Sequence, residues 1–191
     1  MKANQDKKAA RFHGFMSEAI RQAHAGVKKG HGGPFGAVIV RNGKVIARAH
    51  NMVIKNKEPT AHAEVMVIRK AAKKLKSWDL SECELYTTCE PCPMCLGAIL
   101  WSKIKKVHYG CTREDAEEIG FNDSEYYKEI SKLCKPREGK SKLSKPKAGK
   151  IESSKVESKY KSKVIEIKSS SREECLEVFR EWKNKKGRIV Y

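Results

Sequence analysis

No apolar run in this 191-residue chain approaches the roughly 20 residues that cross a bilayer, so a helical membrane protein is excluded. The opening MKANQDKKAARFHG carries charge but no apolar stretch behind it, so it does not read as a secretory signal and a cytoplasmic protein is expected. Acidic residues are in short supply: 23 Asp and Glu stand against 41 Lys and Arg, giving a formal charge of +18. Aromatics make up 7% of the chain, and the lysine-rich stretch over 135–163 has only Tyr160 among them to stack on bases. A paired cysteine set is also lacking. The count is seven, and an odd number without an export signal argues against a disulfide framework. Three of the seven crowd into Thr88-Cys89-Glu90-Pro91-Cys92-Pro93-Met94-Cys95. In a reducing compartment such a cluster is read as metal-binding or reactive.

The positive charge is not spread evenly. Residues 135–163 hold 11 Lys and Arg against three Glu, with six Ser, two Pro, two Gly and almost no apolar periodicity. The stretch repeats itself, Lys135-Pro136-Arg137-Glu138-Gly139-Lys140 returning as Lys145-Pro146-Lys147-Ala148-Gly149-Lys150. It reads as a flexible, solvated insertion over about 135–158 within a single domain of 1–191. A non-specific attraction to polyanions is the competing account.

Outside the insertion the pattern is that of a folded α/β chain. Phe12, Phe15, Met16, Ala19, Ile20, Ala23 and Val27 recur at helical spacing and predict a helix over Arg11–Lys28. Ala37–Arg41 and Lys44–Ala49 read as strands joined by the tight-turn pair Asn42-Gly43. Thr60 is the expected N-cap of a helix over Ala61–Lys74, with Val65, Ile68, Ala72 and Leu75 on its apolar side. Further strands are expected at Glu84–Thr88, Lys105–Tyr109 and Val164–Ile167. Further helices are expected from Pro93 to about Trp101, over Ser124–Leu133, and over Arg172–Lys183 with Leu176, Phe179 and Trp182 inward. That order implies a three-layer α/β/α sandwich around a mixed five-stranded sheet.

Two short pieces carry the chemistry. His62-Ala63-Glu64 opens one helix, and Pro91-Cys92-Pro93-Met94-Cys95 opens another. One imidazole and two thiolates form a soft three-ligand set suited to zinc, leaving a fourth tetrahedral position for water whose pKa the metal lowers to about 7. Cys89 could complete a closed structural site on spacing alone. It falls at a strand end, however, while Cys92 and Cys95 share a helix start that favours thiolates. Glu64 would carry the proton between water and substrate. Its offset from His62 is awkward, since two residues are about 200° around a helix. His-x-Glu followed by Pro-Cys-x-x-Cys is the signature of zinc-dependent base deaminases.

Gly33-Pro34-Phe35-Gly36-Ala37-Val38, Thr60-Ala61-His62-Ala63-Glu64 and Cys89-Glu90-Pro91-Cys92-Pro93-Met94-Cys95-Leu96-Gly97-Ala98 resemble the cytidine deaminase superfamily, most closely its bacterial guanine deaminase branch. The resemblance covers about 12–132 and the final helix, and not the lysine-rich insertion. It implies a cytidine deaminase-like fold, one Zn2+ per chain held by His62, Cys92 and Cys95, and hydrolytic deamination of a nucleobase with Glu64 as proton carrier. For the guanine branch it further implies a second acidic residue at Asp123, with Asn122 standing where that branch has an acidic neighbour. Base contacts would come from Phe35, Asn51, the Ala63 N–H and Trp101. A C-terminal aromatic, here Tyr191 on the tail after the helix of the 172–191 segment, would be lent by a partner in an exchanged homodimer. Each of these has a plain alternative: Asp123 capping a helix, Asn51 holding a turn, Tyr191 fraying. The motifs fix the reaction better than the base. A transfer-RNA adenosine deaminase, supported by the basic insertion, another free base such as cytosine, and a non-catalytic zinc module all remain as rival readings.

Overall fold

A computed structural model describes residues 2–134 and 166–191, with side chains from Gly14 onward in the first helix. The insertion over 135–158, the start of the strand expected at Val164, and the side chain of Phe12 lie outside the described residues. The chain runs α1 (Lys2–Lys29), β1 (Gly36–Arg41), β2 (Lys44–His50), α2 (Val53–Asn56), α3 (Ala63–Leu75), β3 (Cys83–Cys89), α4 (Pro93–Trp101), β4 (Lys106–Cys111), α5 (Arg113–Glu117), α6 (Asp123–Leu133), β5 (Glu166–Ser169) and α7 (Arg172–Asn184).

The five strands form one sheet in the order β2-β1-β3-β4-β5. β1 pairs antiparallel with β2 and β3, while β3–β4 and β4–β5 are parallel. The sheet is therefore mixed, as expected. Asn42 and Gly43 both take positive φ, 51° and 69°, the conformation the β1–β2 turn needs to match strand twist.

β1 is buried on both faces, which is why it reads as an unbroken apolar run. Val38 and Val40 join Met16, Ala19, Ala23 and Val27 of α1 and Val178, Phe179 and Trp182 of α7 in one core. Ala37 and Ile39 join Ala63, Val67 and Ala71 of α3 and Ile99 of α4 in the other. Helices thus cover both faces, giving the three layers. Gly36 lets α1 approach β1 closely: a Cβ there would lie 2.2 Å from the Ala19 carbonyl oxygen, which is backbone and cannot yield.

The structure corrects the expected start of α3. The helix begins at Ala63 with His62 as its N-cap, not Thr60. The Thr60 hydroxyl instead donates to the Glu58 carboxylate, closing a local turn before the helix. The inward stripe moves with it, to Ala63, Val67 and Ala71, with Ile68, Ala72 and Leu75 only part-buried. In α7, Val178 and Cys175 are buried along with Phe179 and Trp182, and Leu176 packs at the edge.

Candidate metal centre and active site

The loops before α3 and α4 bring two helix N-termini together. Cys92 is the N-cap of α4 in extended geometry (φ −66°, ψ 168°), Pro93 follows at the first helical position, and the Cys95 N–H points at the Cys92 sulfur at 3.5 Å. His62 caps α3 in the same extended geometry (φ −66°, ψ 156°) without using its side chain as a cap. The ring is thereby free to face the sulfurs. His62 Nδ1 lies 3.6 Å from both Cys92 Sγ and Cys95 Sγ. Zinc–sulfur and zinc–nitrogen bonds of about 2.3 and 2.05 Å at a tetrahedral angle require about 3.6 Å between such atoms. Both nitrogen–sulfur distances are those of a zinc site, and the three ligand atoms all lie within 4.8 Å of one another. Hydrogen bonding from Cys95, opposed by burial and reinforced by His62, lowers the pKa of the Cys92 thiol, the direction that favours the thiolate zinc needs.

These three form the metal-capable group among the described residues, and Cys89 is not in it. Cys89 instead donates from Sγ to the Thr112 carbonyl at 3.5 Å, and burial pushes its thiol well up. The three-ligand arrangement leaves a coordination position for water, the pattern of a catalytic site and not a closed structural one.

The extended cap also removes the awkward offset between His62 and Glu64. Helical rotation begins only at Ala63, so His62 and Glu64 are not separated by two helical steps. Glu64 is buried, its Oε2 3.5 Å from Cys95 Sγ and its Oε1 accepting the Thr87 hydroxyl at 2.9 Å. Burial, then the nearby Cys92 charge, raises the affinity of this carboxylate for a proton. A carboxylate beside the metal position with a raised pKa suits a group that must take up and release a proton in one cycle.

The centre forms the floor of a cavity of about 480 Å³. Phe35, Glu64, Phe121, Asp123 and Tyr191 line it with the ligands, together with the exposed side chains of Met94, Tyr126 and Ile130. Asp123 is the first residue of α6, and burial followed by the Cys92 charge pushes its carboxyl up to about 6. Phe121 is the hub of an aromatic cluster, with ring centroids 4.9 Å from Phe35, 5.1 Å from Trp182 and 5.5 Å from Tyr191. The Tyr191 hydroxyl accepts the Gly33 N–H at 2.9 Å across 158 residues of sequence. In this single chain the tail therefore reaches its own pocket.

Asn51 is fully buried beside Tyr191. Its Oδ1 accepts the Val53 N–H at 3.1 Å, while Nδ2 has no hydrogen-bond partner of full geometry among the described residues. Gly32 makes room for it, since a Cβ there would sit 2.1 Å from Asn51 Oδ1. Ala63 is the first helical residue of α3, whose N–H a helix leaves without an internal acceptor. Trp101 ends α4, eight residues and about 12 Å of helix from the N-terminus that faces the metal, and is 86% exposed. Neither Trp101, Asn51 nor Ala63 lines the cavity of this single chain.

Several site residues escaped the sequence reading. Thr87, on β3, holds Glu64. Tyr127 donates its hydroxyl to the Pro91 carbonyl at 2.7 Å and stacks under Arg113, whose Nε donates to Glu90 at 3.0 Å. That brace fixes the loop carrying Cys92. A buried threonine and a surface arginine have no pattern that marks them in one sequence.

A model of the cytidine and deoxycytidylate deaminase zinc-binding region matches residues 11–111, the segment holding all three metal ligands and Glu64. The chain belongs to this deaminase family. It is a zinc-type nucleobase deaminase, a hydrolase acting on an amidine C–N bond. It is 54% identical to the guanine deaminase of Bacillus subtilis (strain 168) over 123 residues, 64% of this chain and 79% of that relative. It is also 48% identical to the tRNA-specific adenosine deaminase of the same organism over 96 residues, 50% of this deaminase and 59% of that one. Among solved structures, the guanine deaminase from Bacillus subtilis superposes with a TM-score of 0.62 at 40% identity, covering 94% of this chain and 98% of the other. The mixed sheet and flanking helices are thus those of cytidine deaminase-like proteins.

Proposed function

We propose that this deaminase converts guanine and water to xanthine and ammonia. The observation that carries the reading is the C-terminal tail: Tyr191 closes one wall of the cavity and hydrogen-bonds Gly33. The likeness to a guanine deaminase structure extends over 94% of the chain, whereas the solved structure from a study of tRNA:A34 deaminases covers 54%. Asn51, fully buried beside Tyr191 and accepting the Val53 N–H through Oδ1, backs the wall on which that tail closes.

Zinc held by His62, Cys92 and Cys95 supplies Lewis acidity that makes water a nucleophile near neutral pH. Glu64 takes a proton from the attacking water and delivers it to the ring nitrogen beside C2. As the C2–N bond breaks, the oxygen now bonded to C2 gives up its remaining proton, which Glu64 or Asp123 passes to the amine, so that C2 becomes a carbonyl and the amine leaves as ammonia. Phe35 and Phe121 confine the ring, and Asn51, Asp123 and the Ala63 N–H orient its polar edge. We further infer a homodimer. Leu100 and Trp101 on α4 and Tyr126, Ile130 and Leu133 on α6 are exposed apolar side chains of a kind that a second copy would cover.

The 48% identity to a tRNA-specific adenosine deaminase favours one second reading, adenosine in RNA. Ammonia release over guanine, adenine, cytosine, their nucleosides and transfer RNA separates the two. Guanine is the expected substrate, and turnover of transfer RNA alone would overturn the proposal.

A further inference from the structure

We infer that Thr87 is a positioning residue for the deamination step, holding one oxygen of Glu64 so that the other alone faces the metal centre and carries the proton. The inference rests on the role proposed above for Glu64. A carboxylate has two equivalent oxygens on a rotatable side chain, and a proton carrier works only if the loaded oxygen is within hydrogen-bond reach of donor and acceptor. Here the equivalence is broken. Oε1 accepts the Thr87 hydroxyl at 2.9 Å, and Oε2 lies 3.5 Å from Cys95 Sγ, on the side of the metal ligands. Thr87 is fully buried in the middle of the sheet, between β1 and β4, where its backbone pairs with Ala37 and Tyr109. Neither the strand nor the hydroxyl can drift.

A buried threonine in a central strand has a simpler use as β-branched filler. The next residue provides the comparison. The Thr88 hydroxyl accepts the Gly36 N–H at 3.0 Å, a backbone contact with no line to the reacting groups. Thr88 serves the fold, whereas the Thr87 hydroxyl is directed at a catalytic carboxylate. In the proposed cycle the proton from the attacking water loads onto Oε2 and leaves from Oε2 to the ring nitrogen. Oε1 stays bound to the hydroxyl throughout, so Thr87 itself neither gains nor loses a proton. Without the hydroxyl, Glu64 can rotate and its loaded oxygen loses its aim.

The test is steady-state kinetics on Thr87→Val, which keeps the shape and removes the hydroxyl, beside Thr87→Ser, which keeps the hydroxyl. Thr87→Val should lower kcat roughly 10- to 100-fold, the range for a hydrogen bond to a charged group, with KM and zinc content near those of the parent. Thr87→Ser should recover most of that kcat. Thr88→Val should lower thermal stability without a comparable loss of kcat. In a Glu64→Gln background the Thr87→Val change should cost little more, because its effect runs through the carboxylate. Near-normal kcat in Thr87→Val while Glu64→Gln is inactive would overturn this inference alone. An active Glu64→Gln enzyme would overturn the proposed role of Glu64 beneath it. Equal losses in Thr87→Val and Thr87→Ser would reduce Thr87 to packing.

Discussion

The floor and the rim of the cavity are built by different means. The floor consists of His62, Glu64, Cys92 and Cys95, four residues on two helix starts, each set fixed by a local motif of a few residues. The rim gathers Phe35, Phe121, Asp123 and Tyr191 from a strand entry, a loop, the start of α6 and the C-terminal tail, the three rings tied by ring contacts and one hydrogen bond spanning 158 residues. A floor of this kind specifies a reaction; a rim assembled from distant segments can change substrate without disturbing the metal. That division accounts for relatives of both guanine and adenosine type sharing the zinc-binding half.

The comparison breaks most sharply at the metal. Cys92→Ala and Cys95→Ala should each lose most of the zinc and essentially all activity, because two ligands rarely hold the ion against solvent. Cys89→Ala should keep about one zinc per chain by elemental analysis. If Cys89→Ala lost metal as fully as the other two, the floor would be a four-ligand structural site and the open position would vanish. One step milder is Glu64→Gln, expected to retain zinc and fold while losing at least ~10²-fold in kcat. Turnover close to the parent's would remove Glu64 from the mechanism.

The same division governs what one sequence can reveal. The floor is legible because its residue types are rare and their spacing is dictated by metal geometry. The sheet is legible because β1, buried on both faces, and the Asn42-Gly43 turn leave clear marks. What escaped is short or non-local. α2 and α5, with four and five residues, are too brief for helical periodicity. α4 is apolar on every side, with Cys95 and Ile99 buried and Leu100 and Trp101 exposed, so no pattern could tell which face looks inward. The α3 cap was misjudged because Thr60 has an excellent capping side chain that the fold spends on Glu58.

The smallest expected effect is at the tail, and it bears on whether the rim belongs to one chain or two. Val190 packs over Gly120, whose φ of 105° and missing side chain give the tail a flat seat: a Cβ there would stand 3.3 Å from a Val190 methyl. Tyr191 then reaches Gly33 and Phe121. Removing Ile189, Val190 and Tyr191 should lower kcat/KM roughly tenfold, the value of about one hydrogen bond and its water exclusion, and leave zinc content unchanged. The single chain makes these contacts within itself, but a segment that folds onto its own pocket can make the same contacts in a symmetric partner at little cost, and Gly187, at φ 71°, lies between α7 and the tail where a change of direction is cheap. We therefore expect exchange in the proposed homodimer. Mixing the truncated chain with Glu64→Gln chains tests it. In a mixed dimer with exchange, the pocket that keeps Glu64 receives the intact tail of the other chain, and kcat/KM per such pocket should climb back toward the parent's. If mixed dimers form by native mass spectrometry and activity stays at the truncated level, each tail closes its own pocket. The rim, like the floor, is then the work of a single chain.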